Sequence, residues 1–99
     1  MQIKIKFLAT FHDIGTEKMD LEVPNNTDIS RLLETLKNKF GEKFSKHVKI
    51  LEYLMIFING VNYRQLRGLK TILNDGDVVT IGHILAGGSF LLFLRSSAM

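Results

Sequence analysis

The chain lacks cysteine altogether, and this absence removes several classes of site. A protein without thiols has no disulfide framework, no thiolate metal site and no cysteine nucleophile. The absence is compatible with a reducing compartment, where disulfides are rare. From 99 residues and an ordinary apolar fraction we expect one domain with one core, and no second domain with a site of its own.

Long hydrophobic runs are also missing. Residues Met1–Phe7 alternate apolar and polar side chains, whereas a signal peptide needs a continuous apolar stretch after its basic start. The apolar run Phe90–Leu94 is far too short to span a bilayer as a helix. We therefore expect no membrane partner and a cytoplasmic location.

The net charge is small, at +3, and the basic residues are concentrated in one stretch. That stretch contains Lys37, Lys39, Lys43, Lys46 and Lys49. A solvated face beside a helix C-terminus explains it most simply, and a docking surface for an acidic partner is the second interpretation. Nucleic acid is the least favoured partner, because the stretch has no recognised motif and no clear set of stacking aromatics.

The N-terminal quarter has the pattern of a β-hairpin. Residues Gln2–Phe7 and Lys18–Val23 each alternate apolar and polar side chains with the period of a half-buried strand. We predict a turn over Phe11–Thr16 between them. The sequence Pro24-Asn25-Asn26 ends the hairpin, because proline removes a ladder donor and asparagine favours turns.

A single helix is the clearest prediction in the chain. Its apolar residues recur at helical spacing and form one stripe: Ile29, Leu32, Leu33, Leu36 and Phe40. Thr27 or Asp28 can cap the N-terminus, and Gly41 stands where a C-cap glycine belongs. The mostly polar stretch 42–52 favours at most a short helical turn, with Phe44 and Val48 among its possible anchors.

The second half contains two further strand signals. Leu54–Ile58 is an unbroken apolar run and predicts a central strand. The type I′ turn signal Asn59-Gly60 then predicts a short return strand over Val61–Tyr63. Val78–Ile81 predicts the last regular strand, after a turn at Asp75-Gly76-Asp77. Leu66, Leu69 and Leu73 are interpreted as isolated anchors in the irregular segment between.

The element order β-β-α-β-(β)-β indicates the α+β class, with one main helix packed across a mixed sheet of four to five strands. We expect the ubiquitin-like β-grasp arrangement, in which the first and last strands pair in parallel at the centre. The domain would span residues 1–88. Residues 89–99 would form a C-terminal extension that is either cleaved or adds an apolar strand.

The sequence Ala86-Gly87-Gly88 follows directly after this domain. Two glycines carry no side chain and allow almost any backbone angle, so such a tail can enter a narrow channel on another protein. The one reactive group it could offer is a terminal carboxylate. Since Ser89–Met99 follow, that carboxylate exists only after cleavage behind Gly88. The alternative is that the glycines form a flexible turn before an apolar strand at Phe90–Leu94.

Four segments, taken in order, resemble the MoaD/ThiS family of ubiquitin-like sulfur carriers. They are Ile58-Asn59-Gly60-Val61-Asn62, Leu66-Arg67-Gly68-Leu69-Lys70-Thr71, Leu73-Asn74-Asp75-Gly76-Asp77-Val78-Val79 and Ala86-Gly87-Gly88. The closest likeness is to the small subunit of molybdopterin synthase and its archaeal relatives. In length and element order the resemblance covers residues 1–88.

The resemblance implies a carrier without catalytic residues of its own and without a bound cofactor or metal. An adenylating enzyme of the E1 type would use ATP to activate the carboxylate of Gly88, and a sulfur donor would convert it to a thiocarboxylate. The tail would then enter the large molybdopterin synthase subunit. Gly87 would provide clearance in that channel, and the residues His83, Ile84, Leu85 and Ala86 would form the partner-binding part of the tail.

Two departures keep alternatives open. Molybdopterin-type carriers usually have an aromatic residue and prolines before the tail, whereas this chain has Gly82-His83-Ile84-Leu85. Other carriers, or a ubiquitin-like modifier joined to lysines through Gly88, therefore stay in consideration. The extension Ser89–Met99 is the second departure, and it favours a third possibility: an interaction domain that uses Phe90–Leu94 and is never activated.

Other chemistry-bearing residues have plain structural explanations. His83 is interpreted as a surface residue beside the tail, and His12 and His47 show no ligand spacing, so we expect no metal site. Asp75 and Asp77 flank a turn glycine and are interpreted as turn formers rather than as an acid-base pair. Three basic residues are secondary candidates for contact with the activating enzyme, against the simpler view that they are solvated: Arg64, Arg67 and Lys70.

Overall fold

The computed structural model describes residues 1–49 and 53–83. Of the predicted tail it therefore includes His83, while the segment Ile84–Gly88 and the extension 89–99 lie outside the described residues. The strands in this part of the chain are β1 (Gln2–Phe7), β2 (Lys18–Glu22), β3 (Leu54–Ile58), β4 (Val61–Asn62) and β5 (Val78–His83).

These strands form one mixed sheet in the order β2-β1-β5-β3-β4. The first and last strands, β1 and β5, pair in parallel, and the other neighbouring pairs are antiparallel. The predicted α+β class and the parallel pairing of the terminal strands are confirmed. The prediction that Leu54–Ile58 is a central strand is also confirmed, since β3 lies between β5 and the short edge strand β4.

Helix α1 (Ile29–Phe40) begins at Asp28, whose side chain accepts hydrogen bonds from the Arg31 backbone N–H at 2.9 Å and the Ser30 hydroxyl at 2.7 Å. These donors, the Arg31 N–H first, lower the pKa of the Asp28 carboxyl. Thr27, the other candidate cap, instead donates its hydroxyl to the Pro24 carbonyl.

Gly41 ends α1 and begins the next helix. Its φ of 62° is a backbone angle that favours glycine, and its N–H donates to the Lys37 carbonyl at 2.8 Å. A seven-residue helix, α2 (Glu42–Val48), follows at once. The sequence favoured at most a helical turn here. The buried side chains of Phe44 and Val48 explain the difference, since tertiary packing stabilises a helix whose own pattern is weak.

One face of the sheet and both helices enclose the core. The inward residues of β1, β3 and β5 pack against the stripe of α1, and the fully buried members include Ile5, Leu32, Leu36, Ile56 and Val79. In the segment between β4 and β5, Leu73 is an anchor at 2% exposure. Leu66 is not, because 45% of it is exposed on a 3₁₀ turn.

The turn before β5 is held by its carboxylates. Asp75 accepts from the Gln2 backbone N–H at 2.7 Å, while Asp77 accepts from the Asn74 N–H at 2.8 Å and the Asn59 side-chain amide at 2.9 Å. Gly76 between them has a φ of 84°. The two aspartates thus organise the turn that starts β5, as the sequence indicated.

We expect Asp28→Ala to lower the free energy of unfolding by about 1 kcal/mol, because it removes the side-chain acceptor at the start of α1. Urea unfolding at neutral pH measures the effect, with Asp28→Ser as the matched control that keeps a capping oxygen. The loss should shrink as the pH falls below 3.8, the ordinary pKa of this carboxyl, since protonation removes the same charge. An equal loss in the Ser variant would contradict this role.

Candidate functional site: the end of β5

The parallel pairing of β1 and β5 brings the C-terminal ends of both strands to the same end of the sheet. The ladder between them stops at the pair Phe7 and Ile81, with the Leu8 N–H donating to the Ile81 carbonyl at 2.9 Å. On its other side β5 stays paired with β3 up to the pair Leu54 and His83. The last two residues of β5 therefore extend past β1 and need other partners on that side.

A side chain replaces the missing ladder. The backbone N–H of His83 donates to the Thr10 hydroxyl oxygen at 3.0 Å. Thr10 lies in a 3₁₀ segment, Ala9–Ile14, which overlaps the turn predicted over Phe11–Thr16. That segment begins two residues after β1 ends, so the chain that leaves β1 itself supplies the partner for the end of β5.

The His83 ring points to the helix side of the sheet and is half-buried, so it is held more closely than the surface residue that the sequence favoured. Its Nε2 lies 2.7 Å from the backbone carbonyl oxygen of His47, near the end of α2. Because a carbonyl only accepts, Nε2 carries the proton and donates it. The ring thus connects the end of β5 to the end of α2.

Phe11 lies at the centre of this arrangement and is fully buried. Its ring stacks on His47 with centroids 4.2 Å apart and meets the edge of His83 at 4.9 Å. The rings of Phe7 and Phe44 lie behind it, each 5.9 Å away. A continuous aromatic group therefore supports the two histidines from the core side.

A charged group supports His47 from the outside. Its Nε2 lies 2.7 Å from Oδ1 of Asp13, and the Lys46 ammonium lies 2.7 Å from Oδ2 of the same carboxylate. Lys46 first and His47 second hold the pKa of the Asp13 carboxyl well below its ordinary value. The carboxylate orients the His47 ring, and Lys46, from the basic stretch of the sequence, balances its charge.

Leu8 packs against Gly82 on the face of the sheet that points away from the helices. A Cβ at Gly82 would collide with Cδ1 of Leu8 and lie 3.0 Å from its Cβ and Cγ. This glycine is thus required by close approach rather than by backbone angle. We call Leu8, Thr10, Phe11, His47 and His83 the exit cluster, since together they surround the point where the described chain ends.

The face of the sheet away from the helices is divided in two. Its β3–β5 half is mostly apolar, with half-buried Met55, Phe57 and Val78 around Thr80, and with Leu8 over Gly82. Its β1–β2 half is charged, with Lys4 opposite Asp20 and Lys6 opposite Lys18. The apolar half extends to the exit cluster at Gly82, where Leu8 packs.

The sequence identified one member of this site and missed the others. His83 was a candidate, and Gly87 and Gly88 lie outside the described residues. Asp13 was interpreted only as part of the predicted turn, and Thr10, just before that turn, carried no signal. His47 was considered only as a metal ligand, and its contact with His83 comes from tertiary packing over 36 residues of chain.

Within residues 1–49 and 53–83, the structure shows no group of three or more histidine, aspartate or glutamate side chains that could hold a metal ion. In those same ranges no helix is both long enough and apolar enough to cross a bilayer. Arg64 and Lys70, which we considered for enzyme contact, lie on 3₁₀ turns in the segment that leads to the start of β5.

Comparisons of the sequence and of the structure with known proteins point to the same group of proteins. The ThiS family profile matches residues 5–88. A curated relative, the putative sulfur carrier protein of Archaeoglobus fulgidus, is 33% identical over 89 residues, which cover 89% of this chain and 100% of that protein.

Two solved structures show the same architecture. Putative molybdopterin converting factor subunit 1 of Pyrococcus furiosus has a TM-score of 0.68 at 26% identity, covering 84% of this chain and 97% of that one. Small archaeal modifier protein 1 of Methanosarcina acetivorans has a TM-score of 0.69 at 28% identity, covering 88% and 96%.

The fold is therefore a ubiquitin-like β-grasp, of the kind used by small sulfur carriers and protein modifiers. The chain belongs to the ThiS family. The resemblance to the MoaD/ThiS carriers that its second half suggested is confirmed, and its broad role is that of a ubiquitin-like sulfur carrier or modifier.

We expect Gly82→Ala to lower the free energy of unfolding by about 1 kcal/mol, since the new methyl group overpacks against Leu8. The cost is at the low end because Leu8 is 41% exposed and can move. Thermal or urea unfolding measures it. In a Leu8→Ala background the same substitution should cost clearly less, because the contacts with Cγ and Cδ1 are gone and only the one with Cβ remains. An unchanged penalty there would show that the Leu8 side chain is not its origin.

The Asp13 group predicts a pH dependence. A carboxyl whose pKa is lowered by folding adds stability above its ordinary pKa of 3.8, and this stability is lost as the pH falls below that value. Wild-type protein should therefore be more stable than Asp13→Asn at pH 6, with the difference shrinking towards pH 2. Urea midpoints across the range measure this, with the exposed β2 variant Asp20→Asn as the control. A difference that persists at low pH would contradict the account.

Proposed function

We propose that the chain is a sulfur carrier of the molybdopterin synthase small-subunit type, which acts through a thiocarboxylate on Gly88 after cleavage. The observation that carries the proposal is the extent of the family match: it ends at residue 88, the second glycine of Ala86-Gly87-Gly88. The putative sulfur carrier of Archaeoglobus fulgidus supports it, since the whole of that protein aligns with 89% of this chain.

The proposed chemistry takes place on the chain end and in partner enzymes. Hydrolysis of the bond between Gly88 and Ser89 would release the Gly88 carboxylate. That carboxylate would attack the α-phosphate of ATP in an adenylating enzyme, giving an acyl adenylate and pyrophosphate. Sulfur at the oxidation level of sulfide would then displace AMP and leave the thiocarboxylate, which a large synthase subunit would use on a pterin precursor.

The glycine tail and the folded domain would have different roles, and each role follows from the physical properties of that part. A pair of glycines without side chains leaves the carbonyl of Gly88 open to attack and fits a narrow channel. The folded domain supplies a rigid base for that tail at the end of β5, and an apolar surface for a partner beside it. No bound cofactor is needed on this chain, since ATP would belong to the activating enzyme.

Substitution of the chain end tests the proposal. Cells that express the wild-type chain should contain a form retarded in gels that carry an organomercurial, which binds thiocarboxylates. The Gly88→Val variant should lose this form, because the side chain crowds the reacting carbonyl. The variant Ala86→Ser, which leaves both glycines in place, should keep it. A retarded form that persists in the Gly88→Val variant would place the sulfur elsewhere.

A ubiquitin-like modifier is the second candidate. Two observations favour it: the likeness to small archaeal modifier protein 1 of Methanosarcina acetivorans, and the stretch Gly82-His83-Ile84-Leu85, which lacks the prolines usual in molybdopterin-type carriers. In this case Gly88 would form isopeptide bonds with lysines. Peptide mapping of cellular proteins separates the two, since a modifier leaves Gly88 remnants on target lysines and a dedicated sulfur carrier leaves none.

A further inference from the structure

We propose that His83 is a positioning residue for the tail: with Thr10 and His47 it fixes the point and the direction in which the chain leaves the sheet. The inference rests on the proposed function, because a fixed departure matters only if the tail must reach a partner's active site. It concerns residues that the structure describes, and it gives a role to the exit cluster that the carrier chemistry alone does not require.

The first argument is the replacement of the ladder. A strand that extends past its neighbour normally frays, because its backbone groups on that side lose their partners. Here the N–H of His83 keeps a partner in the Thr10 hydroxyl at 3.0 Å, on the side where pairing with β1 stopped at Ile81. The strand is therefore held on both edges up to its last described residue.

The second argument is the polar contact of the ring. Packing against Phe11 and His47 would be satisfied by any flat apolar side chain. The imidazole in addition donates from Nε2 to the His47 carbonyl at 2.7 Å. A directional bond fixes the orientation of the ring, and with it the backbone of residue 83, in a way that apolar contact does not.

The third argument is that both faces of the strand end are covered. Leu8 lies over Gly82 on one face, and Phe11 and His47 lie against His83 on the other. The Asp13 carboxylate in turn orients His47 at 2.7 Å. The support therefore continues from the strand end through His47 to a charged pair on the surface.

The geometry of a tail shows why such support is useful. Gly88 is the fifth residue after His83, so a fully extended tail would place the glycine carbonyl about 17 Å from its base. A rotation of about 20° at the base would then displace that carbonyl by about 6 Å. Since misplacement of a reacting group by about 1 Å can reduce a rate a hundredfold, a fixed base favours productive entry into a channel.

Amide hydrogen exchange on the full chain tests the physical half of the inference. In Thr10→Val the protection of the His83 amide should fall about ten-fold, the factor expected for loss of one hydrogen bond. In His83→Phe, which keeps a packed ring and removes the donor, the amide at position 83 should lose protection similarly. Two conservative variants serve as controls: Thr10→Ser keeps the hydroxyl, and His83→Gln keeps a donor that can reach the His47 carbonyl.

The functional half is measured in cells at matched protein abundance. The fraction of chain that carries a Gly88 thiocarboxylate, or a Gly88 isopeptide if the modifier function holds, should fall about ten-fold in His83→Phe and in Thr10→Val. It should return close to the wild-type fraction in His83→Gln and Thr10→Ser. Urea midpoints of the four variants are compared alongside, because a merely structural role would make the modified fraction follow stability rather than the presence of the hydrogen bond.

Each outcome decides a different point. Lost protection with an unchanged modified fraction overturns the positioning role, and unchanged protection in His83→Phe and Thr10→Val overturns the anchoring itself. If the wild-type chain carries neither modification, the proposed function fails and this inference fails with it. The exchange data alone would still show whether the cluster holds the end of β5, so the two failures are distinguishable.

Discussion

The parallel pairing of β1 with β5 is the constraint on which the rest of this structure depends. It places the last strand at the centre of the sheet, between β1 and β3, and brings the end of that strand to the edge where β1 continues into the 3₁₀ segment Ala9–Ile14. One pairing thus gives the end of β5 partners on both sides: β3 on one, and the chain that follows β1 on the other. It also brings Phe11 and Thr10 beside His83, although more than 70 residues separate them in sequence.

The sequence predicted the elements whose signals are local. The strand alternation of Gln2–Phe7, the stripe of α1 and the Asn59-Gly60 turn each depend on a few neighbouring residues, and each is present. Both turn residues have positive φ, 52° at Asn59 and 85° at Gly60, as a type I′ turn requires. The order of elements then indicated the sheet, because few arrangements bury one helix against two hairpins.

What the sequence did not predict depends on contacts over long stretches of chain. Helix α2 exists because Phe44 and Val48 find places in the core. The exit cluster exists because α2, the Ala9–Ile14 segment and β5 meet at one end of the sheet. No local pattern shows that Asp13 contacts His47 or that Thr10 contacts His83. The glycine at position 82 illustrates the same point: its reason is Leu8, which lies 74 positions earlier and against it in space.

Together these features support our proposal of a small domain that holds the end of β5 in place and offers a glycine tail to partner enzymes, which carry out the chemistry. The most direct test of that account is the intact mass of the protein isolated from its native cells. The account predicts a species that ends at Gly88, free or with one oxygen exchanged for sulfur. A population made up only of chains that continue through Ser89, in cells where the protein is active, would contradict it.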